Sequence, residues 1–211
     1  MSFDSGALTE TERVNLRFLE TVAKDKAFLS DIKVPELDLE MFRSLMFLEH
    51  AKSRPRVLDA GCGIARYASE LADFFVYEGM DISEGMLKHA REDNPHLKFH
   101  RESFLRRTSF KEGRFDGIWC CCALNSTPKR EVPKALKEFK RLLGHRGVLL
   151  LVMPMHGYSD EGLEETTFNV PLYYSSWFPD EFARVVKDVG FKNVVIRERP
   201  ESGSFTITAQ K

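Results

Sequence analysis

The stretch VLDAGCGIA, residues 57–65, decides how the rest of the chain is read. An apolar run through Val57 and Leu58 ends in Asp59, gives way to Gly61 and Gly63, and passes into a helical pattern at residues 65–72. A strand that leaves through a glycine turn into a helix lets backbone approach a ligand closely at the carboxyl edge of a parallel sheet. The dinucleotide fingerprint needs glycine or alanine where this chain has Arg66, whose bulk would crowd a pyrophosphate. A nicotinamide or flavin site is therefore disfavoured. No Gly-Lys-Ser/Thr ending follows Gly61, so a Walker loop is excluded.

Working outward, residues 56–60, 74–80, 97–100, 115–121 and 147–153 read as strands, with helices at 65–72, 83–93 and 133–143 between them. That alternation predicts an α/β fold with a doubly wound, mostly parallel sheet. Gly144 and Gly147 stop the third helix and release the run VLLLV, residues 148–152, too continuously apolar for a strand covered on one face only. Residues 155–177 read as a polar, loop-like insertion. A further helix opens at Pro179, presents Phe182, Val185, Val186 and Val189 on one side, and ends at Gly190. Two closing strands follow at 191–197 and 204–209, joined by a turn at 200–203. Upstream, residues 8–32 place Val14, Phe18, Val22 and Leu29 on one helical face and leave Arg13 and Arg17 to solvent. Residues 36–51 place Leu37, Met41, Leu45 and Leu48 on another, before a turn at 53–55.

With 211 residues, 43% of them hydrophobic, the chain is expected to be one domain: an N-terminal helical cap (1–53), a binding core (54–154) and a substrate-side insertion with closing strands (155–211). Lys and Arg number 31 against 32 Asp and Glu, so the net charge of -1 supplies no field to gather nucleic acid or an anionic membrane. The opening MSFDSGALTE lacks a charged, then apolar, leader, and no run approaches the roughly 20 apolar residues of a membrane span. A cytoplasmic location is expected. Cys62, Cys120, Cys121 and Cys122 have neither disulfide-framework nor zinc-site spacing, and read as reduced, buried thiols with no metal.

Asp59-x-Gly61-x-Gly63-x-Ala65-Arg66 resembles the first motif of class I S-adenosylmethionine-dependent methyltransferases, with Ala65 where glycine is more usual. GMDIS (79–83) followed by Met86 and Leu87 resembles the second motif, and Glu102-Ser103-Phe104, RFDGIW (114–119) and PDEFARVVKDVGFKNV (179–194) follow in the family's order. The resemblance implies a Rossmann-like, seven-stranded sheet with its last strand antiparallel, helices on both faces and two extra N-terminal helices. It implies S-adenosylmethionine as cofactor and S-adenosylhomocysteine as product. Gly61, Cys62 and Gly63 would line the methionine and ribose, while Asp59 and Arg66 organise the loop or reach the methionine carboxylate. Asp81, Ile82 and Met86 would hold ribose and adenine, since an ionised carboxylate accepts from both ribose hydroxyls. Ser103 and Phe104 would border the adenine, and Cys120 and Cys121 would offer backbone to the methionine amino group.

Methyl transfer from a sulfonium asks mainly for positioning, with a base needed only where the acceptor must lose a proton. His156, just past the fifth strand, is the candidate base, and Tyr158, Tyr173, Tyr174 and Trp177 the candidate acceptor contacts, closed over by the N-terminal helices. The expected acceptor is a small molecule, oxygen or nitrogen before carbon, because the insertion is modest and the Asn-Pro-Pro-Tyr signature of base-flipping enzymes is missing. Two other classes stand beside this reading: a protein or RNA methyltransferase, which would show a basic stripe at the cofactor mouth, and a non-catalytic, cofactor-binding regulatory relative. A monomer or homodimer is expected. The plain structural roles are a helix cap for Asp81, a solvated loop side chain for His156, and packing for the aromatic residues and cysteines.

Overall fold

The computed structural model describes residues 8–31, 37–50 and 54–211. Its helices are α1 (Glu10–Val22), α2 (Lys26–Asp31), α3 (Leu37–Glu49), α4 (Ala68–Phe74), α5 (Glu84–Asp93), α6 (Val132–Leu142) and α7 (Pro179–Asp188). Its strands are β1 (Arg56–Ala60), β2 (Val76–Asp81), β3 (Lys98–Arg101), β4 (Phe115–Cys121), β5 (Leu143–Pro154), β6 (Glu161–Glu164), β7 (Leu172–Ser175), β8 (Lys192–Arg199) and β9 (Ser204–Gln210).

Seven strands form one sheet in the order β3-β2-β1-β4-β5-β9-β8. Neighbours from β3 to β5 pair in parallel, and β9 runs antiparallel to both β5 and β8. The expected sheet with its antiparallel last strand is the one observed. Strand order reverses between β1 and β4, which opens a crevice at their carboxyl ends where ligands of such sheets bind. β5 is covered on both faces: Leu149, Leu151 and Met153 enter one core and Val148, Leu150 and Val152 the other. Each such side chain contributes roughly 1.5–3 kcal/mol by leaving water. Among the described residues, no helix is long and apolar enough to cross a membrane, and no group of three metal-ligating side chains assembles.

Four local expectations are corrected. The first helix is two, because α1 ends at Val22 and the Asp25 carboxylate caps α2 by accepting the Phe28 N–H at 3.0 Å. α3 turns a different face inward: Phe42 and Met46 are fully buried, while Met41 and Leu45 are partly covered and Leu48 is 77% exposed. Gly117 of β4 explains this, since a Cβ there would stand 2.6–2.8 Å from the Met46 sulfur and the Phe42 ring. α4 begins at Ala68 rather than 65, because Gly61, Gly63 and Ala65 all hold left-handed backbone, φ 76°, 54° and 58°. The insertion is no plain loop, since β6 and β7 pair as an antiparallel hairpin there. Residues 32–36 and 51–53, where the ends of two predicted helices and part of a predicted turn fall, lie outside the described residues, as does the side chain of Leu37.

Candidate active site

A cavity of about 310 Å³ opens at the carboxyl ends of β1, β2 and β4, under α1 and α2. Its floor is the glycine turn. The N–H groups of Gly61 and Cys62 both donate to the Met80 carbonyl, at 2.8 and 3.0 Å, which fastens the turn to the tip of the neighbouring strand. At Gly61 a Cβ would lie 2.4 Å from that of Ala123, so only glycine admits the chain after β4 so closely, whereas Gly63 faces open space. The Gly63 N–H donates to Asp81 Oδ2 at 2.9 Å and the Ser83 N–H to Oδ1 at 2.8 Å. Ser83 in turn caps α5 by accepting the Met86 N–H at 3.1 Å. Asp81 therefore organises both loops and caps nothing itself. A carboxylate offers about four acceptor sites, so with the Gly63, Ser83 and Ile82 N–H groups on it one remains for a ligand.

Burial sets the electrostatics of this floor. It pushes the Asp59 carboxyl up from its ordinary 3.8 to about 7, against the Tyr77 hydroxyl that donates to Oδ2 at 2.9 Å and with the nearby Asp81 charge adding to the rise. Asp81 is also raised by burial, held back by the Ser83, Gly63 and Ile82 N–H groups. Burial likewise pushes the Cys62 thiol up. Four acids, Glu12, Asp59, Asp81 and Glu102, face the cavity against one cation, Arg66.

The roof comes from α1, whose polar side chains reach far along the chain. Glu12 is buried, accepts from Ser103 Oγ, and pairs with Arg106 at 2.7 Å. Asn15 donates to the carbonyls of Ser126 (2.7 Å) and Tyr173 (3.2 Å) and accepts the Tyr173 N–H (2.7 Å), so it substitutes for a strand partner along β7. Glu20 accepts from Ser83 Oγ and the Gly85 N–H, adding an anion at the N-terminus of α5. Asn15→Ala would leave partly buried backbone groups of two segments without their partner and is expected to cost about 1–3 kcal/mol. Urea unfolding followed by far-ultraviolet dichroism checks this, and a loss below 0.5 kcal/mol would show that the roof is held by apolar contact alone.

Of the residues named from sequence, Asp59, Gly61, Cys62, Gly63 and Arg66 line the cavity from the first loop, and Asp81, Ile82 and Met86 from the second. Ser103, Phe104 and Cys121 complete that set, whereas the Cys120 side chain is buried in the core with Phe139 and Leu151 and is not on the cavity wall. The thiols are not uniformly buried as expected: Cys121 is partly covered and Cys122 exposed, at φ 50°. His156, Tyr158, Tyr173, Tyr174 and Trp177 stand outside the wall. His156 shares a 2.7 Å hydrogen bond with the Tyr174 hydroxyl and lies beside Tyr158. Trp177 is buried against Phe182 and donates to Ser175 Oγ. Sequence reasoning missed Glu12, Asn15, Tyr67, Trp119, Ser126 and Thr127 as lining residues. Among the described residues, Arg66 Nη2 and Trp119 Nε1 are buried without a hydrogen-bond partner.

Residues 57–147 match a family model described as a methyltransferase domain. A malonyl-[acyl-carrier protein] O-methyltransferase of Erwinia pyrifoliae is 33% identical over 106 residues, 49% of this chain and 39% of that protein. The chain thus aligns with well under half the length of this curated relative. The structure of a complex of DhpI with SAH superposes with a TM-score of 0.71 at 16% identity, over 93% of this chain and 95% of the other. A Burkholderia thailandensis 1,6-didemethyltoxoflavin-N1-methyltransferase, solved with its namesake ligand and S-adenosylhomocysteine, superposes at 0.67 and 17% identity, over 99% and 93%. These likenesses show the fold.

Proposed function

We infer that this chain, whose residues 57–147 match a methyltransferase-domain model, binds S-adenosylmethionine in the roofed cavity and passes its methyl group to a small molecule. One observation carries the reading: the glycine turn after β1 and the acid at the tip of β2 converge, with Gly63 and Asp81 in direct hydrogen bond, on a space floored by backbone. The residues fit the cofactor. Gly63 leaves open space where a side chain would stand, Asp81 keeps an acceptor site for a ribose hydroxyl, and Ile82, Met86 and Phe104 supply an apolar wall for a purine. Asp81 and Glu102, with Asp59 once ionised, outweigh the one guanidinium on the wall and favour a cationic ligand over a phosphate backbone, which argues against an RNA acceptor.

When bound, the cofactor supplies a sulfonium methyl already activated for in-line displacement. The chain's part is to orient and to keep water out, which α1 and α2 do by closing over the floor. An oxygen or nitrogen acceptor is favoured, in keeping with the O- and N1-methyltransferases named among its likenesses. An acceptor arriving as a carboxylate or neutral amine needs no base, and none of the described residues on the wall is a histidine. Transfer of a tritiated methyl group from S-adenosylmethionine into fractionated metabolite pools is expected, and should disappear with Asp81→Ala. Calorimetry showing that neither S-adenosylmethionine nor S-adenosylhomocysteine binds would end the proposal.

A further inference from the structure

We propose that Cys121 and Cys122 form a dithiol modification site at the rim of the cavity, which a hydroperoxide closes into a disulfide between the two neighbours, with loss of cofactor affinity, and a thiol reductant reopens. β4 ends at Cys121, and the chain turns at Cys122 through left-handed backbone, φ 50°. Successive residues of a strand would face opposite ways. Here the turn brings both thiols to one side, with their sulfurs 3.9 Å apart and both residues on the cavity wall. Cys120 faces the core with Phe139 and Leu151 and takes no part.

The two thiols are unequal. Cys122 is exposed and meets an oxidant first. Cys121 is partly covered, and the hydrogen bond its thiol donates to Cys122, together with burial, pushes that thiol up, so it is a poor first nucleophile. Its contact with Cys122 supplies the proximity that a second step needs. In the first step the Cys122 sulfur attacks a peroxide oxygen, the O–O bond breaks, and the thiol proton leaves with the departing hydroxide as water. In the second the Cys121 sulfur attacks the resulting sulfenic acid, the S–O bond breaks, and the Cys121 proton departs with that hydroxyl as a second water. Two thiols are oxidised and one peroxide is reduced. Cα atoms joined by a trans peptide lie about 3.8 Å apart, short of the about 4.4–6.8 Å of relaxed disulfides, so the new bond is strained and readily reduced. That suits a reversible mark better than a permanent brace.

Closure bears on the floor of the site. The Cys122 N–H donates to the Val152 carbonyl at 2.9 Å, which fixes the peptide between the two cysteines, and the next residue, Ala123, rests on Gly61 at a spacing that only glycine admits. Drawing the sulfurs together turns that peptide and pushes Ala123 against the glycine turn. This consequence rests on the function proposed above; the bond itself does not.

Reduced wild-type protein, Cys121→Ser and Cys122→Ser are treated with hydrogen peroxide and followed by intact mass, peptide mapping and calorimetry with S-adenosylhomocysteine, before and after dithiothreitol. Wild type should lose two hydrogens, carry the bond within one peptide, and bind S-adenosylhomocysteine about tenfold more weakly or worse until the reductant restores it. Neither variant should lose two hydrogens, and treated Cys122→Ser should keep the affinity of its own untreated sample within about twofold. Uptake of oxygen by wild type without loss of two hydrogens would overturn the proposal, as would a bond to the peptide of Cys62 or a Cys121→Ser variant that still closes. So would an oxidised wild type that binds as the reduced protein does. The wild-type mass and map decide the bond even if a serine variant fails to fold. Failure of the reduced wild type to bind S-adenosylhomocysteine would instead sink the functional reading, with the bond still judged by mass.

Discussion

Asp59→Asn is expected to make the ligand-free protein more stable above pH 7 and to leave it unchanged near pH 3. In the folded chain burial raises the Asp59 carboxyl to about 7, against 3.8 for an ordinary aspartate. Between those two values the native state holds a proton that the unfolded state has released, so wild-type stability falls as pH rises through this window and levels off above it. A shift of about three pH units corresponds to about 4 kcal/mol, an upper figure for what the neutral amide recovers at pH 8. Asparagine keeps an acceptor for the Tyr77 hydroxyl, so the hydrogen bond at this site need not be lost. The same charge bears on ligand binding. A cationic ligand beside Asp59 favours its ionised form, so cofactor affinity should climb up to about tenfold per pH unit below 7, flatten above it, and lose that slope in the variant. Urea titrations from pH 4 to 8 decide the first point, and parallel curves for the two proteins would refute it.

Asp81→Ala should have the largest effect on binding, lowering affinity for S-adenosylhomocysteine on the order of 10- to 100-fold through the loss of a charge-assisted hydrogen bond to the ribose. The substitution also frees the Gly63 and Ser83 N–H groups, so the floor loses its cross-tie as well as its ligand contact. Asp81→Asn separates these effects, because the amide oxygen can serve one N–H while the charge is gone. It should fall between alanine and wild type. Calorimetry at pH 8 measures all three proteins, and an alanine variant within about threefold of wild type would remove Asp81 from the binding site.

The floor of the site was legible because it is local. Asp59, Gly61 and Gly63 lie within five residues, and the left-handed backbone there is a property of the turn itself. Asp81 was legible for a similar reason, since it ends a strand beside the first. The roof was not. Asn15 acts on residues 111 and 158 positions away, and Glu12 on residues more than 90 away, so nothing near them in sequence marks them as more than a polar edge of an amphipathic helix. Residues 155–177 hid a hairpin because β6 is Glu-Gly-Leu-Glu, without the alternation that marks a half-buried strand, and three of its four residues are exposed. On α3 the expected stripe was displaced because Gly117, in another element altogether, chooses which helical face can dock. His156 and the insertion's aromatic residues were read as facing the acceptor from their place after β5, but they stand off the cavity wall, His156 against Tyr158 and Tyr174, Tyr173 along Asn15 of α1, and Trp177 against α7.

The seat that Gly117 leaves for Phe42 and Met46 divides the two N-terminal helical regions in kind. α1 meets the rest of the protein through polar handholds and a small apolar cluster of Phe18, Leu19 and Val22 with Met86 and Phe168, whereas α3 closes the face of the sheet that holds Trp119, Val148 and Leu150. Shortening the chain as far as the end of α1 would unroof a cavity; shortening it past α3 would lay open the centre of the sheet. Anyone trimming this protein for crystals or grafting it into a fusion has a boundary to respect, and it lies on the near side of residue 37.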